Sequence, residues 1–147
     1  MPTYETERDL LNAVRERLDG WLYRARADAF AELFEDEDAL LSADELRVLD
    51  RIDSELSRER GRGVWDTDEY GIVSTGTMSG ETPPRVVCTT HPRLPEQGHP
   101  GDERLDEETR RKLNDALWQY SQRVVERTQQ ELEEFVWSVD VEAWETQ

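Results

Sequence analysis

The sequence is nearly devoid of lysine: Lys112 stands alone, and the other 17 of the 18 basic residues are arginine. Cysteine is as scarce, and with Cys88 as the only one no disulfide can form within the chain. Two histidines, His91 and His99, leave few imidazoles for acid–base chemistry. Apolar residues make up 35% of the chain, and mean hydropathy is -0.88. No apolar run approaches the roughly 20 residues that a membrane-spanning helix takes. Met1-Pro2-Thr3 leads straight into charged residues, without the apolar stretch of a secretory signal. These absences point to a cytoplasmic protein that makes no use of a membrane. A GxSxG elbow, a P-loop, a GxGxxG turn and an HExxH helix are also missing, so the common hydrolase, nucleotide-binding and zinc-protease signatures are excluded.

What is there instead is acid. Thirty-five Asp and Glu against 18 basic residues leave a net charge of -17 over 147 residues. In dilute buffer such a charge opposes compaction. Near 1 M salt the Debye length falls to about 3 Å and the repulsion is screened. Leu, Ile, Val and Phe together number 31 of 147, which is close to the composition of disordered chains. Five tryptophans and four tyrosines argue for a folded protein with a thin core. The length suits one domain, 1–147. An acidic, arginine-for-lysine chain of this kind resembles small haloarchaeal proteins of uncharacterised family. The resemblance is one of composition, and it implies an environment of concentrated salt.

Residues 3–36 read as one long helix. Leu10, Val14, Leu18, Trp21, Ala25, Ala29 and Leu33 recur at spacings of three and four, widened by Leu11, Leu22, Phe30 and Phe34. Gly20 costs about 1 kcal/mol relative to Ala, but the stripe keeps phase across it. The run Glu35-Asp36-Glu37-Asp38 opposes the helix dipole and ends the helix. Ser42 and Glu45 form a capping box for a second helix with Leu46, Leu49, Ile52 and Leu56 on its apolar face, stopped by Gly61 and Gly63. Residues 3–60 are thus expected to form a helical hairpin.

Residues 61–104 hold seven of the eight glycines and five of the six prolines. Two β-like runs, Tyr70 to Thr75 and Arg85 to Thr90, predict a hairpin, followed by an irregular loop. Asp106 is a fit N-cap for a last helix over 106–138, carrying Leu113, Leu117, Tyr120, Val124, Leu132, Phe135 and Val139. Thr128 and Glu131 interrupt its apolar face. The fold class is mainly α with a small β-hairpin (α+β).

The sole cysteine and both histidines fall within twelve residues, as C-x2-H-x7-H: Cys88, His91 and His99. Thiolate and imidazole are zinc ligands, and Glu96, Asp102, Glu103 or water would complete a tetrahedron. The plain alternative is a buried strand cysteine followed by two exposed His-Pro turns. Asp66-Thr67-Asp68-Glu69-Tyr70-Gly71-Ile72-Val73 matches an EF-hand loop at its first, third, sixth and eighth positions. Tyr70 and Thr77 stand where two further oxygen ligands belong, which leaves calcium short of donors. Arg58, Arg60 and Arg62 are candidate nucleic-acid contacts, although a net charge of -17 opposes phosphate binding.

Two families share parts of this layout. Arg51-Ile52-Asp53, Leu56 and Tyr70-Gly71-Ile72, below an acidic helical tip, resemble the DksA/TraR type of RNA polymerase regulator. That family's first zinc cysteines are replaced here by Val73 and Gly76. The order helix, helix, β-hairpin, long helix resembles winged-helix regulators that dimerise through a terminal helix, with Arg58, Arg60 and Arg62 near the wing and Arg110, Arg111 and Lys112 opening the last helix. Trp118, Tyr120, Phe135 and Trp137 on that helix serve either the core or a homodimer or partner interface. The expectation is a non-enzymatic interaction or regulatory protein of a high-salt cytoplasm. A zinc module and a winged-helix regulator are the alternatives.

Overall fold

The computed structural model describes residues 6–35, 38–65, 68–74, 83–94 and 106–138. Helix α1 spans Glu7–Phe30. Thr6 caps it, its hydroxyl accepting the Asp9 N–H at 3.1 Å, and Glu7 and Asp9 face the positive end of the helix dipole. Gly20 lies on the exposed side with open space where a side chain would project, so the helix runs through it as one element. After Phe30 the backbone widens into a π-helical turn, Ala31–Glu35, which turns Phe34 into the core. The Leu40 N–H then reaches back to the Leu33 carbonyl at 2.9 Å. Asp36 and Glu37 of the acidic run lie outside the described residues.

Helix α2, Ala43–Arg60, starts on the expected capping box: the Glu45 N–H donates to Ser42 Oγ at 3.2 Å, and Glu45 Oε1 accepts the Ser42 N–H at 2.8 Å. It stops at Gly61, whose φ of 75° lies in the left-handed region that favours glycine. Gly63 has a different requirement. A Cβ there would collide with the Asp53 carboxylate, which accepts the Trp65 N–H at 3.2 Å. This close approach pins Trp65 over the end of α2.

Strand β1, Glu69–Val73, pairs antiparallel with β2, Arg85–Thr90, Ile72 facing Val86, with an irregularity between Glu69 and Tyr70. The first strand therefore begins one residue earlier than its apolar pattern suggests and ends at Val73. On the outer side of β2 the Gln129 side chain stands in for a third strand. Its Oε1 accepts the Val86 N–H at 2.7 Å and its amide donates to the Pro84 carbonyl at 3.0 Å.

Helix α3, Glu107–Trp137, is capped by Asp106, which accepts the Thr109 N–H at 2.6 Å. It lies antiparallel to α1, the closest helix pair in the fold. Toward one end Leu10, Val14 and Trp21 of α1 meet Leu132 and Val136 of α3, with Val86 of the hairpin over them. Toward the other, Leu22, Ala25, Ala29 and Phe34 meet Leu113, Leu117, Tyr120 and Val124, with Leu49, Ile52 and Leu56 of α2 closing the layer. Each such leucine contributes about 1.5–3 kcal/mol by leaving water. The two interruptions of the α3 stripe have separate fates. Glu131 pairs with Arg24 at 2.8 Å on the surface, and Thr128 is fully buried with its hydroxyl unpartnered among the described residues.

Candidate functional site

Tyr23, Ala27 and Phe30 follow one another at i, i+4 and i+7 on α1, beside the buried stripe. With Arg26, Trp65 and Tyr120 they line an open, mostly apolar groove of about 420 Å³. Its walls are rings set nearly at right angles: Phe30 to Trp65 at 5.7 Å and 75°, and Trp65 to Tyr120 at 5.0 Å and 75°. Edge-to-face packing of this kind stabilises each pair by about 0.5–1.5 kcal/mol beyond area burial. Ala27 is the small residue that leaves room between Tyr23 and Phe30. Tyr23 is 76% exposed and stands at the lip. Tyr120 is buried, and desolvation pushes its phenol up to about 12, so it stays protonated at neutral pH.

Among the described residues Arg26 is the only cation on this lining. Its Nε donates to Asp68 Oδ2 at 3.0 Å, and its guanidinium lies over the Tyr70 ring at 5.5 Å. The Asp68 side chain is only 5% exposed, and Arg26 is its ion-pair partner. Among the described residues Nη1 and Nη2 of Arg26 donate no hydrogen bond.

Behind Arg26 lies a polar layer between the hairpin and α3. The Tyr70 hydroxyl is buried without a hydrogen-bond partner of normal geometry among the described residues. Burial, then the Asp68 charge, raise its pKa well above the usual 10. The half-buried Cys88 donates to the Thr90 carbonyl at 3.3 Å. Burial pushes its thiol up, Asp68 adds to the shift, and the Ser121 hydroxyl partly opposes it. A thiol so placed is a poor nucleophile near neutral pH. Ser121 Oγ lies 2.6 Å from His91 Nδ1 and donates to the Trp118 carbonyl at 2.8 Å. A hydroxyl has one proton, so with it on the Trp118 carbonyl Ser121 Oγ is the acceptor toward His91 Nδ1. Ser121 is fully buried and its proton is committed to a carbonyl, an arrangement that orients His91 and does not activate the serine.

The residues singled out in the sequence lie on β2, on the segment after it and at the end of α2. Cys88 lies in β2 and His91 just after it, both beside Ser121, and His99 lies outside the described residues. Among the described residues no three His, Cys, Asp or Glu side chains gather as metal ligands would. The calcium-loop likeness dissolves: Gly71 is in an extended strand opposite Val87, not at a sharp turn, and Asp68 is engaged by Arg26. Arg58 and Arg60 occupy the last turn of α2, favourable for its dipole, and Arg62 follows Gly61; all three are exposed. The aromatic stripe of α3 divides. Tyr120 is buried and Phe135 packs on Trp21 at 5.7 Å, whereas Trp118 and Trp137 face outward. The groove itself was missed in the sequence. Its one signal is Tyr23, an aromatic residue outside the core stripe of α1, seven positions before Phe30.

No curated protein and no solved structure shows significant similarity to the chain. Residues 4–139 match DUF7539, a family of unknown function, and the chain belongs to that family. Among the described residues no helix is long and apolar enough to cross a membrane.

Proposed function

We propose that this DUF7539 member is a non-enzymatic interaction or regulatory protein of a salt-loaded cytoplasm, with the α1 groove as its recognition surface. One observation carries the reading: an apolar groove walled by three rings stands open on the surface, with the exposed ring of Tyr23 at its lip. Aromatic anchors beside a ready-made pocket are where binding energy concentrates. Concentrated salt suits such a site, because it screens the charge of -17 while leaving apolar burial intact.

A photoreactive phenylalanine analogue in place of Tyr23, irradiated in cells, tests the site. Adducts read by intact mass are expected, and Ala27→Glu, which puts a carboxylate into the groove, abolishes them. Adducts that form equally from a probe at Trp137, or none at all from position 23, overturn it. The salt reading is tested separately: the unfolding midpoint rises from dilute to multimolar KCl, and a flat dependence overturns that part.

A second reading, a zinc module on Cys88, His91 and His99, is favoured by the His91–Ser121 bond. That bond fixes the ring and leaves Nε2 for a metal, as outer-shell partners of metal-binding histidines do. Stoichiometric zinc in protein purified without chelator, lost in Cys88→Ser/His91→Ala, is its expected signature. Metal-free protein overturns it.

A further inference from the structure

Resting on the groove as recognition surface, we propose that its ligand is a small aryl carboxylate: one aromatic ring with a carboxylate a bond or two away. The ring belongs against Phe30, Trp65 and Tyr120, with Tyr23 covering its outer side. About 420 Å³ is toward the lower end of the range of small-molecule pockets and suits one ring.

The charge of the ligand follows from Arg26. Asp68 takes Nε and thereby orients the guanidinium. The remaining pair, Nη1 and Nη2, is the end-on face of the fork, which matches a carboxylate. Arg26 keeps 37% of its side chain exposed and lines the groove. A neutral ring leaves those donors unmatched when it displaces water from the groove, and a cationic one meets like charge. The Tyr70 ring, 5.5 Å from the guanidinium, supports it.

The test uses the full chain in multimolar KCl, titrated with phenylacetate, phenethyl alcohol and phenethylamine, and followed by saturation-transfer NMR and tryptophan fluorescence. Phenylacetate is expected to bind saturably and about tenfold tighter than the alcohol, the scale of one charge-assisted hydrogen bond. Phenethylamine is expected not to bind. Arg26→Gln brings phenylacetate down to the level of the alcohol, whereas Asp68→Asn, which keeps the guanidinium, retains the preference for the acid. Circular dichroism of each variant checks that it is folded. Equal affinity for acid and alcohol overturns the carboxylate assignment and leaves the groove reading standing. Tightest binding of the amine also overturns it, in favour of a cation held by the rings. Binding of none of the three overturns the ligand class, and the Tyr23 photoadduct then decides the groove reading on its own.

Discussion

Two ends of the same helix pair differ in what closes them. At one end α1 and α3 meet through aliphatic residues, Leu10, Val14, Leu132 and Val136, and the flat face of the hairpin lays Val86 across the seam. Trp21 and Phe135 meet at its edge with their rings tilted at 56°, and Arg17 lies 4.6 Å over the Phe135 ring. At the other end the seam is filled by rings, Phe34 and Tyr120 among them, and is closed by the cylinder of α2 and the strap from Gly61 to Trp65. A sheet face covers evenly. A helix and a strap leave a gap at the side, and the gap is the groove. One end is therefore covered by the chain itself, while the other leaves part of its aromatic surface exposed.

The largest test of this contrast is to hollow each end in turn. Leu132→Ala and Leu117→Ala, both at fully buried positions, are each expected to cost about 2–5 kcal/mol in chemical denaturation. Only Leu117→Ala, beside Tyr120, should also shift the ring resonances of Trp65. Equal shifts from both changes mean that the ends are not separable. Gly63→Ala forces the Asp53 carboxylate off the Trp65 N–H and is expected to cost about 1–3 kcal/mol. It should loosen the groove and leave Trp21 fluorescence untouched. Thr128→Val removes a buried, unpartnered hydroxyl at nearly constant shape and should stabilise by about 1 kcal/mol, visible as a raised denaturation midpoint.

The smallest expected effect concerns acid. Glu45 is held below its ordinary 4.5 first by the Ser42 N–H and then by Lys112, and Glu32 is held below 4.5 first by its hydrogen bond to Arg127. A depressed folded pKa gives stability that is complete above 4.5 and fades as pH falls through the lower folded value. Both groups sit at the aromatic end, so amides at the start of α2 should lose exchange protection first below pH 4.5. Glu45→Gln should flatten that loss. Unchanged acid sensitivity in this variant assigns the effect elsewhere.

The helices were legible because their signals are local. Ser42 with Glu45, Gly61, and Asp106 are chemical punctuation, and the stripes keep a 3.6-residue period. The hairpin was legible from its β-branched runs, to within two residues. The groove was not, because its walls come from three places in the chain: Phe30, Trp65 and Tyr120 meet only once α3 folds back on α1. The pairing of Arg26 with Asp68 spans 42 positions, and that of His91 with Ser121 spans 30. Such contacts carry no period. Asp68 read as a cation ligand from its neighbours, and what decided its role was an arginine on another element.

Gln129 has a consequence beyond holding the hairpin to α3. An unpaired strand edge is a template for a neighbouring chain, and crowded solutions punish it with fibres. By answering Val86 and Pro84 with both ends of one amide, Gln129 occupies the stretch of β2 where a foreign strand would begin to zip. The helix thus covers the start of the β2 edge with one amide.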